Sequence, residues 1–374
     1  MERAFMTAGL PGHERRRADR GTGASEARVA AVIVNWNGRR FLPECLRALG
    51  RSTVPVQVVV VDCASTDGSV DYVRAEHPTV EVLPSRENIG YAGGANLGLR
   101  HTRAPYAMVM NPDVILAPDH LEIMCARLDE DPSIGAAQGK LYRIDAETFV
   151  AGVRPTSNII DSAGHCIRRD RMVVDRGAGR PDGPAFAEEA SVFSACGAAM
   201  FLRRSMLEDL APDGDYFDSS FFAYKEDIDL CWRARILGWD VRYIPDAVAW
   251  HVRGWAGETV GARKRLSIAA RRHSWKNHYL LMIKNDRLGD VFRALPFVLG
   301  WELVRHAYAL VREPQVYAAY GDLFRLLPAA LRSRRELFRR RRTLPAEIRR
   351  WFGASPEPLG TTETAPGAGV RAAR

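Results

Sequence analysis

Asn111-Pro112-Asp113 follows directly on Tyr106 to Met110, an apolar run of strand length. A carboxylate where a buried strand reaches water suits a hard divalent cation, because Mg²⁺ takes one or two protein carboxylates and fills its shell with phosphate oxygens and water. The same tripeptide is also an ordinary turn sequence. Glu226-Asp227 opens the helical pattern Ile228 to Leu237, just after the aromatic cluster Phe221-Phe222-Ala223-Tyr224. Aromatic neighbours can raise a carboxyl pKa by desolvation, as a general base requires, although acids in a first helical turn also simply complement the helix dipole. Asp229 and Arg233, four apart, can pair and leave Asp227 to face a cleft.

Asn35 and Asp62 end the apolar runs Val29 to Val34 and Val56 to Val61. A carboxylate there can accept the N3–H of a pyrimidine or the ribose hydroxyls. Ser65 and Thr66 beyond it serve equally well as helix caps. Glu87 to Gly98 is Gly-rich and opens a helix, so backbone N–H groups near Asn88, Gly90 and Asn96 can face phosphate. Its spacing is not GxGxxG, and close helix packing explains the glycines just as well. His251 can complete a metal shell or bond a phosphate, or be a satisfied structural histidine; His278 has a weaker claim. Moving a sugar from a nucleoside diphosphate to a hydroxyl needs a grip on the base, a cation on the diphosphate, a base for the hydroxyl and an enclosed pocket. Each has a candidate, in chain order.

The elements that must hold these residues alternate. Strands at Val29 to Val34, Val56 to Val61, Val80 to Leu83 and Tyr106 to Met110 are separated by helical patterns at Arg39 to Leu49, Asp67 to Glu76 and Gly93 to Thr102. Strands apolar on both faces belong to parallel sheets covered by helices, with ligands at their carboxyl ends. Residues 140–190 predict a loop-rich excursion near the site. Regular pattern returns at Phe193 to Phe201, in a helix from Glu226 to Leu237, and in a strand from Asp240 to Ile244.

From Leu266 to Arg342 the chain predicts helices in series, with Pro296, Pro314 and Pro328 as breaks or first-turn residues. Leu323, Leu326, Leu327, Ala330 and Leu331 form an apolar stripe beside Arg325, Arg332, Arg334 and Arg335, a basic amphipathic character suited to a membrane interface. Residues 325–350 hold ten Arg against Glu336 and Glu347, which accounts for the whole formal net charge of +8. A basic excess on a C-terminal segment points to an anionic membrane surface and away from nucleic acid. Ala294 to Val311 comes nearest to a membrane span, but Glu302, Arg305 and His306 interrupt it. Six scattered cysteines without a CxxC pair suggest neither a disulfide framework nor a zinc ribbon and fit a reducing cytoplasm. The expected division is a disordered leader (1–27), an α/β domain (28–265), a helical basic region (266–352) and a disordered tail (353–374).

The ordered set Val34-Asn35-Trp36-Asn37-Gly38, Val61-Asp62, Ser65 to Ser69, Asn88 to Gly98, Asn111-Pro112-Asp113, Cys196 to Met200, Phe217-Asp218, Phe221-Phe222, Tyr224, Glu226 to Cys231, Arg233, Gly238 and His251 resembles the family 2 glycosyltransferases of GT-A fold, in their rhamnosyltransferase-like branch. The resemblance implies a nucleotide-sugar-binding domain with a mostly parallel central sheet and a helical C-terminal extension. It implies Asp227 as catalytic base beside Glu226, and Asp113 and His251 on Mg²⁺ or Mn²⁺, with Asn111 replacing the first acid of a DXD-type motif. It further implies Asn35, Asp62, Asn88, Gly90, Asn96 and Asn111 around the nucleotide sugar, dTDP-rhamnose in that branch. A saccharide or polyprenyl-linked acceptor at the inner membrane face is then expected. Cys63 stands where the family usually has Asn. A UDP- or GDP-sugar donor, or a catalytically silent sugar- or lipid-binding module, are the alternatives.

Overall fold

The computed structural model describes residues 27–153, 155–253 and 267–353. The expected leader and tail, and the boundary at 265, fall outside them apart from single end residues. Twelve strands are described: β1 (Val29–Asn35), β2 (Val56–Asp62), β3 (Glu81–Pro84), β4 (Tyr106–Met110), β5 (Val114–Leu116), β6 (Ile134–Ile144), β7 (Ile160–Ser162), β8 (His165–Ile167), β9 (Val173–Asp175), β10 (Ala190–Ser191), β11 (Ala199–Arg203) and β12 (Asp240–Val252). The helices that cover them are α1 (Leu42–Leu49), α2 (Ser69–Glu76), α3 (Gly90–His101), α4 (His120–Glu130), α5 (Ala146–Val150), α6 (Arg204–Leu210) and α7 (Glu226–Ile236). Then follow α8 (Ile268–Asn285), α9 (Leu288–Arg312), α10 (Ala319–Arg339) and α11 (Pro345–Arg349).

The main sheet runs β10-β12-β6-β11-β4-β1-β2-β3, with β5 on β12 and β7 on β6. Six of those eight strands point one way, and only β10 and β11 oppose them. Alternate residues of β1 enter two cores. Val32 and Val34 pack on the side of α3 and α7, and Val29, Ala31 and Ile33 on the side of α1 and α4. Burial on both faces is the reason the strand reads as an unbroken apolar run. On the α3 side glycine permits the contact, since a Cβ on Gly98 would stand 2.3 Å from a Val32 methyl carbon, and one on Gly94 2.7 Å from a Val34 methyl carbon.

Three expectations need correction. The stretch read as loop contains the end of β6 and the short strands β7, β8 and β9, too brief to show a period. β12 continues past Ile244 to Val252, absorbing Pro245 in a register shift between Ile244 and Val248, because a bulge tolerates the missing N–H. Pro296 and Pro328 lie inside α9 and α10, helices of 25 and 21 residues with hydrogen bonds enough to bear the loss of one.

The helical C-terminal region shares the main core. Leu280, Leu281, Leu323, Ala330, Leu337, Ile348 and Trp351 belong to the cluster that includes β1 and α7. Much of the stripe read as membrane-facing on α10 is therefore turned inward, with Leu323 and Ala330 buried.

Candidate active site

The carboxyl ends of β1, β2 and β4 bring three of the expected groups to one edge of the sheet. Asn35 and Asp62 stand opposite each other in register. The Asn35 amide donates to Asp62 Oδ2 at 2.7 Å, and Asp62 Oδ1 accepts the Ser65 N–H at 2.8 Å. Both side chains are buried and fix the loops at 35–38 and 62–67, which Asn37 laces together by accepting the Thr66 N–H at 2.8 Å, while Asn35 Oδ1 has no hydrogen-bond partner in the protein. Cys63 points away from that edge, into the core against Gly94, and the departure from the family pattern lies under α3.

Asn88 Oδ1 accepts the Gly90 N–H at 2.9 Å, forming the turn that starts α3. Gly90 has φ +71° and lies so close to Phe222 that a Cβ would come within 2.4 Å of its carbonyl oxygen. Asn96 is fully buried, donating to Phe217 O at 2.6 Å and Asp215 Oδ1 at 2.7 Å and accepting the Phe217 N–H at 2.9 Å. It ties α3 to the loop before α7, with its amide already committed to the protein.

Asp113 and His251, far apart in sequence, meet because β5 pairs with β12 and sets His251 opposite Val114. His251 Nε2 is 3.5 Å from Asp113 Oδ1, a buried oxygen without a hydrogen-bond partner. The other ring nitrogen lies 2.8 Å from Asp161 Oδ2. Burial disfavours the imidazolium, but Asp113 and Asp161 outweigh it and raise the His251 pKa well above the usual value. An orphaned carboxylate oxygen facing an imidazole whose far nitrogen is held by a second carboxylate is a donor set that fits a divalent cation.

Asp227 accepts the Gly197 N–H on Oδ2 and the Ile228 N–H on Oδ1, each at 2.8 Å. A carboxylate has about four acceptor positions, which leaves room for a hydroxyl. Cys196-Gly197-Ala198 joins the two halves of the site, since the next carbonyl, Ala198 O, accepts the Asn111 N–H at 3.0 Å. Glu226 is buried with Oε2 unpartnered, and burial together with the adjacent Asp227 raises its pKa well above the carboxylate range. Asp229 is held by Arg233 at 2.7 Å, as the spacing predicts.

Several participants carried no readable signal. Asp161 meets Arg253 at 3.2 Å, and Arg253 also pairs with Asp175. Asp175 in turn lies 3.2 Å from His165 Nε2. Ligand atoms of His165, Asp175 and Cys196 come within 4.8 Å of one another. Phe222, Tyr224 and Lys225 have positive φ just before Glu226, a strained approach held from α8: Asn277 donates to the carbonyls of Phe221, Ala223 and Tyr224 at 2.7–2.9 Å. His278, by contrast, bonds Glu302 at 3.0 Å and belongs to the helical packing. Asp161, His165, Asp175, Arg253 and Asn277 were not legible, because each becomes polar machinery only through pairing across the fold.

The family model described as Glycosyltransferase like family 2 matches residues 27–274, from before β1 into α8. The chain belongs to the family 2 glycosyltransferases. This transferase is 26% identical over 306 residues to the N-acetylglucosaminyl-diphospho-decaprenol L-rhamnosyltransferase of Mycobacterium tuberculosis, covering 76% of this chain and 93% of that one. It is 22% identical to the poly-beta-1,6-N-acetyl-D-glucosamine synthase of Staphylococcus aureus over 52% of this chain and 42% of that one. Among solved structures, S. aureus TarS 1-349 superposes with a TM-score of 0.50 at 15% identity, covering 83% and 89% of the two chains. GalNAc-T7 with UDP, GalNAc and Mn²⁺ superposes with a TM-score of 0.52 at 14% identity, over 70% of this chain and about half (48%) of that one. The structural likenesses establish the GT-A fold of the transferase.

Proposed function

We propose that this transferase moves a sugar, with inversion, from a nucleoside diphosphate to a hydroxyl of a saccharide or polyprenyl-linked acceptor in cell-wall or polysaccharide assembly. The donor is dTDP-rhamnose, a reading supported by the rhamnosyltransferase that aligns over 93% of its length. The observation that carries the proposal is the unpartnered, buried Asp113 Oδ1 facing His251 Nε2, with Asp227 tied to the adjoining Cys196-Gly197-Ala198 segment.

Asp113 and His251 would hold Mg²⁺ or Mn²⁺, which when bound offsets charge on the departing diphosphate. Asp161 orients the His251 ring. Asn35, Asp62, Asn88 and Gly90 shape the loops around the nucleotide, Asn111 sets the entry to Asp113, and Asn96 anchors α3 beneath them. Asp227 takes the proton of the acceptor hydroxyl as that oxygen attacks the anomeric carbon from the face opposite the nucleotide. Burial and the adjacent Asp227 disfavour charge on Glu226, which lessens the repulsion between the two carboxyl groups beside the acceptor. The work takes place on the cytoplasmic side, with the enzyme peripheral on the inner face of the plasma membrane. No described helix is long and apolar enough to cross a bilayer.

A panel of dTDP-, UDP- and GDP-sugars with Mg²⁺ or Mn²⁺, scored by thermal stabilisation, tests the reading. dTDP-rhamnose with metal should raise the melting temperature most. Stabilisation by a UDP- or GDP-sugar alone would overturn the donor assignment, and stabilisation indifferent to chelation would overturn the metal site.

A further inference from the structure

α9 is amphipathic in the reverse of the usual sense. Its acidic side chains turn toward the protein: Asp290 is buried, and Glu302 bonds His278, Tyr279 and Arg305. The residues that interrupt the apolar run Ala294 to Val311 in sequence, Glu302, Arg305 and His306, are all at least partly covered. Of the fifteen exposed residues of α9 only Arg293 and Arg312 are polar. The outward face is built from side chains such as Leu288, Phe292, Phe297, Leu303, Leu310 and Val311, each 51–75% exposed. An unbroken apolar face of this size on a helix marks a contact with something other than water.

The rim of this face is basic. The turn between β8 and β9 packs on α9, with the guanidinium of Arg168 5.6 Å from the Trp301 ring centre and that of Arg169 5.4 Å from the Phe297 ring centre. An open groove of about 390 Å³ lies between them, walled also by Gly300, Val304 and Asp170, whose carboxylate pairs with Arg168 at 2.6 Å and leaves Arg169 as the less committed cation. Arg171 fixes the turn by pairing with Asp286 at 2.5 Å and donating to Asp290 O at 3.2 Å. The other end of the same hairpin carries His165 and Asp175, beside Cys196. Its strands are three residues long, about 10 Å at the strand rise.

We propose that the outward face of α9 lies flat in the surface of an anionic lipid bilayer, with Arg168 and Arg169 meeting headgroup phosphates in the groove. This deepens the membrane-surface part of the proposed function and rests on it. The apolar residues enter the acyl boundary while Arg168, Arg169, Arg293 and Arg312 stay at headgroup level. Anionic lipid is the occupant that complements those arginines. α9 is fastened along one side to α8 and to the β8–β9 turn, so it lies along the surface and does not cross it. The short hairpin then holds the catalytic edge close to the bilayer, where the head of a lipid-linked acceptor would project.

The test is sedimentation of the full chain with vesicles of phosphatidylcholine alone and of phosphatidylcholine containing one third phosphatidylglycerol. Wild type should bind the anionic vesicles. L299E/L303E, altered only at exposed positions, should keep its thermal midpoint and bind them roughly a hundredfold more weakly. R168E/R169E should lose at least about thirtyfold on anionic vesicles and nothing on neutral ones. Wild-type binding by L299E/L303E would overturn the proposal, as would a dimer that this variant breaks while vesicle binding persists. Sugar transfer to a soluble acceptor by an enzyme that never sediments would refute the lipid contact and leave the transfer reading; sedimentation through α9 without donor turnover would do the reverse.

Discussion

Replacing Asp161 with Asn removes one negative charge from the group that holds His251, and the structure sets the size of the effect. Asp161 is 1% exposed, with His251 Nδ1 at 2.8 Å, Arg253 at 3.2 Å and Arg143 at 3.3 Å. Burial pushes its carboxyl pKa upward, but the His251 hydrogen bond and the neighbouring positive charges prevail and hold it below the ordinary value. An amide can still accept from His251 through its oxygen, which turns its NH₂ toward two guanidinium groups. Breaking a buried pair costs about 3–5 kcal/mol. Arg253 keeps Asp175 and Arg143 is partly exposed, which places D161N at the low end of that range. Loss of the outer partner of a metal-bound histidine weakens the metal by about 10- to 100-fold, equivalent to about 1.4–2.8 kcal/mol. Calorimetric titration of Mn²⁺ at saturating nucleoside diphosphate measures the second effect, and urea unfolding the first. If D161N binds Mn²⁺ as wild type does while H251A does not, the negative charge of Asp161 has no part in tuning the ligand.

Three further expectations follow from the same geometry. D227N should lower turnover by about 10²- to 10⁴-fold with donor affinity little changed; it also presents an NH₂ to one of two backbone N–H groups, at a stability cost of about 1–3 kcal/mol, and near-normal turnover in a steady-state assay would remove Asp227 from the role of base. N277A removes the side-chain donor from the Ala223 and Tyr224 carbonyls ahead of Glu226, while Phe221 O keeps the Ala223 N–H, and a lower turnover with unchanged donor-induced stabilisation would show that α8 positions the base. His120 is fully buried, 2.9 Å from Val248 O, and burial lowers its pKa to about 4. Its folded pKa lies below the unfolded value of about 6.5, so its stabilising contribution, on the order of 3 kcal/mol, is complete above that value and drains away as pH falls toward 4. The H120Q variant should show a correspondingly shallower loss of denaturation midpoint across that window, and an identical profile would refute the assignment.

The α/β order, the mostly parallel sheet, and the strand ends at Asn35, Asp62 and Asp113 were legible in sequence, because strand apolarity and helical spacing are local signals. Asp227 at the head of α7 was legible for the same reason, as was its freedom from the Asp229–Arg233 pair. Asn96 was visible as a motif residue, but only its full burial shows it spanning from α3 to the loop at 215–219. The apolar stripe on α10 had the right period and faces substantially inward, while α9, broken in sequence by charges, presents the outward apolar face. Helical period reports that a helix has two sides and cannot say which side the rest of the chain will cover.

Residue types and their order along the chain determined the family, the sheet, and the carboxylates available for metal and base. Tertiary structure alone decided what those groups face: β5 on β12 brings His251 to Asp113, Asp161 and Arg253 fix them in place, and Asn277 reaches from α8 to hold the strained turn before Asp227. The physical reason is that periodicity and propensity act over a few residues. Pairings such as 113 with 251 or 224 with 277 exist only once loop-closure entropy has been overcome by burial of the two cores.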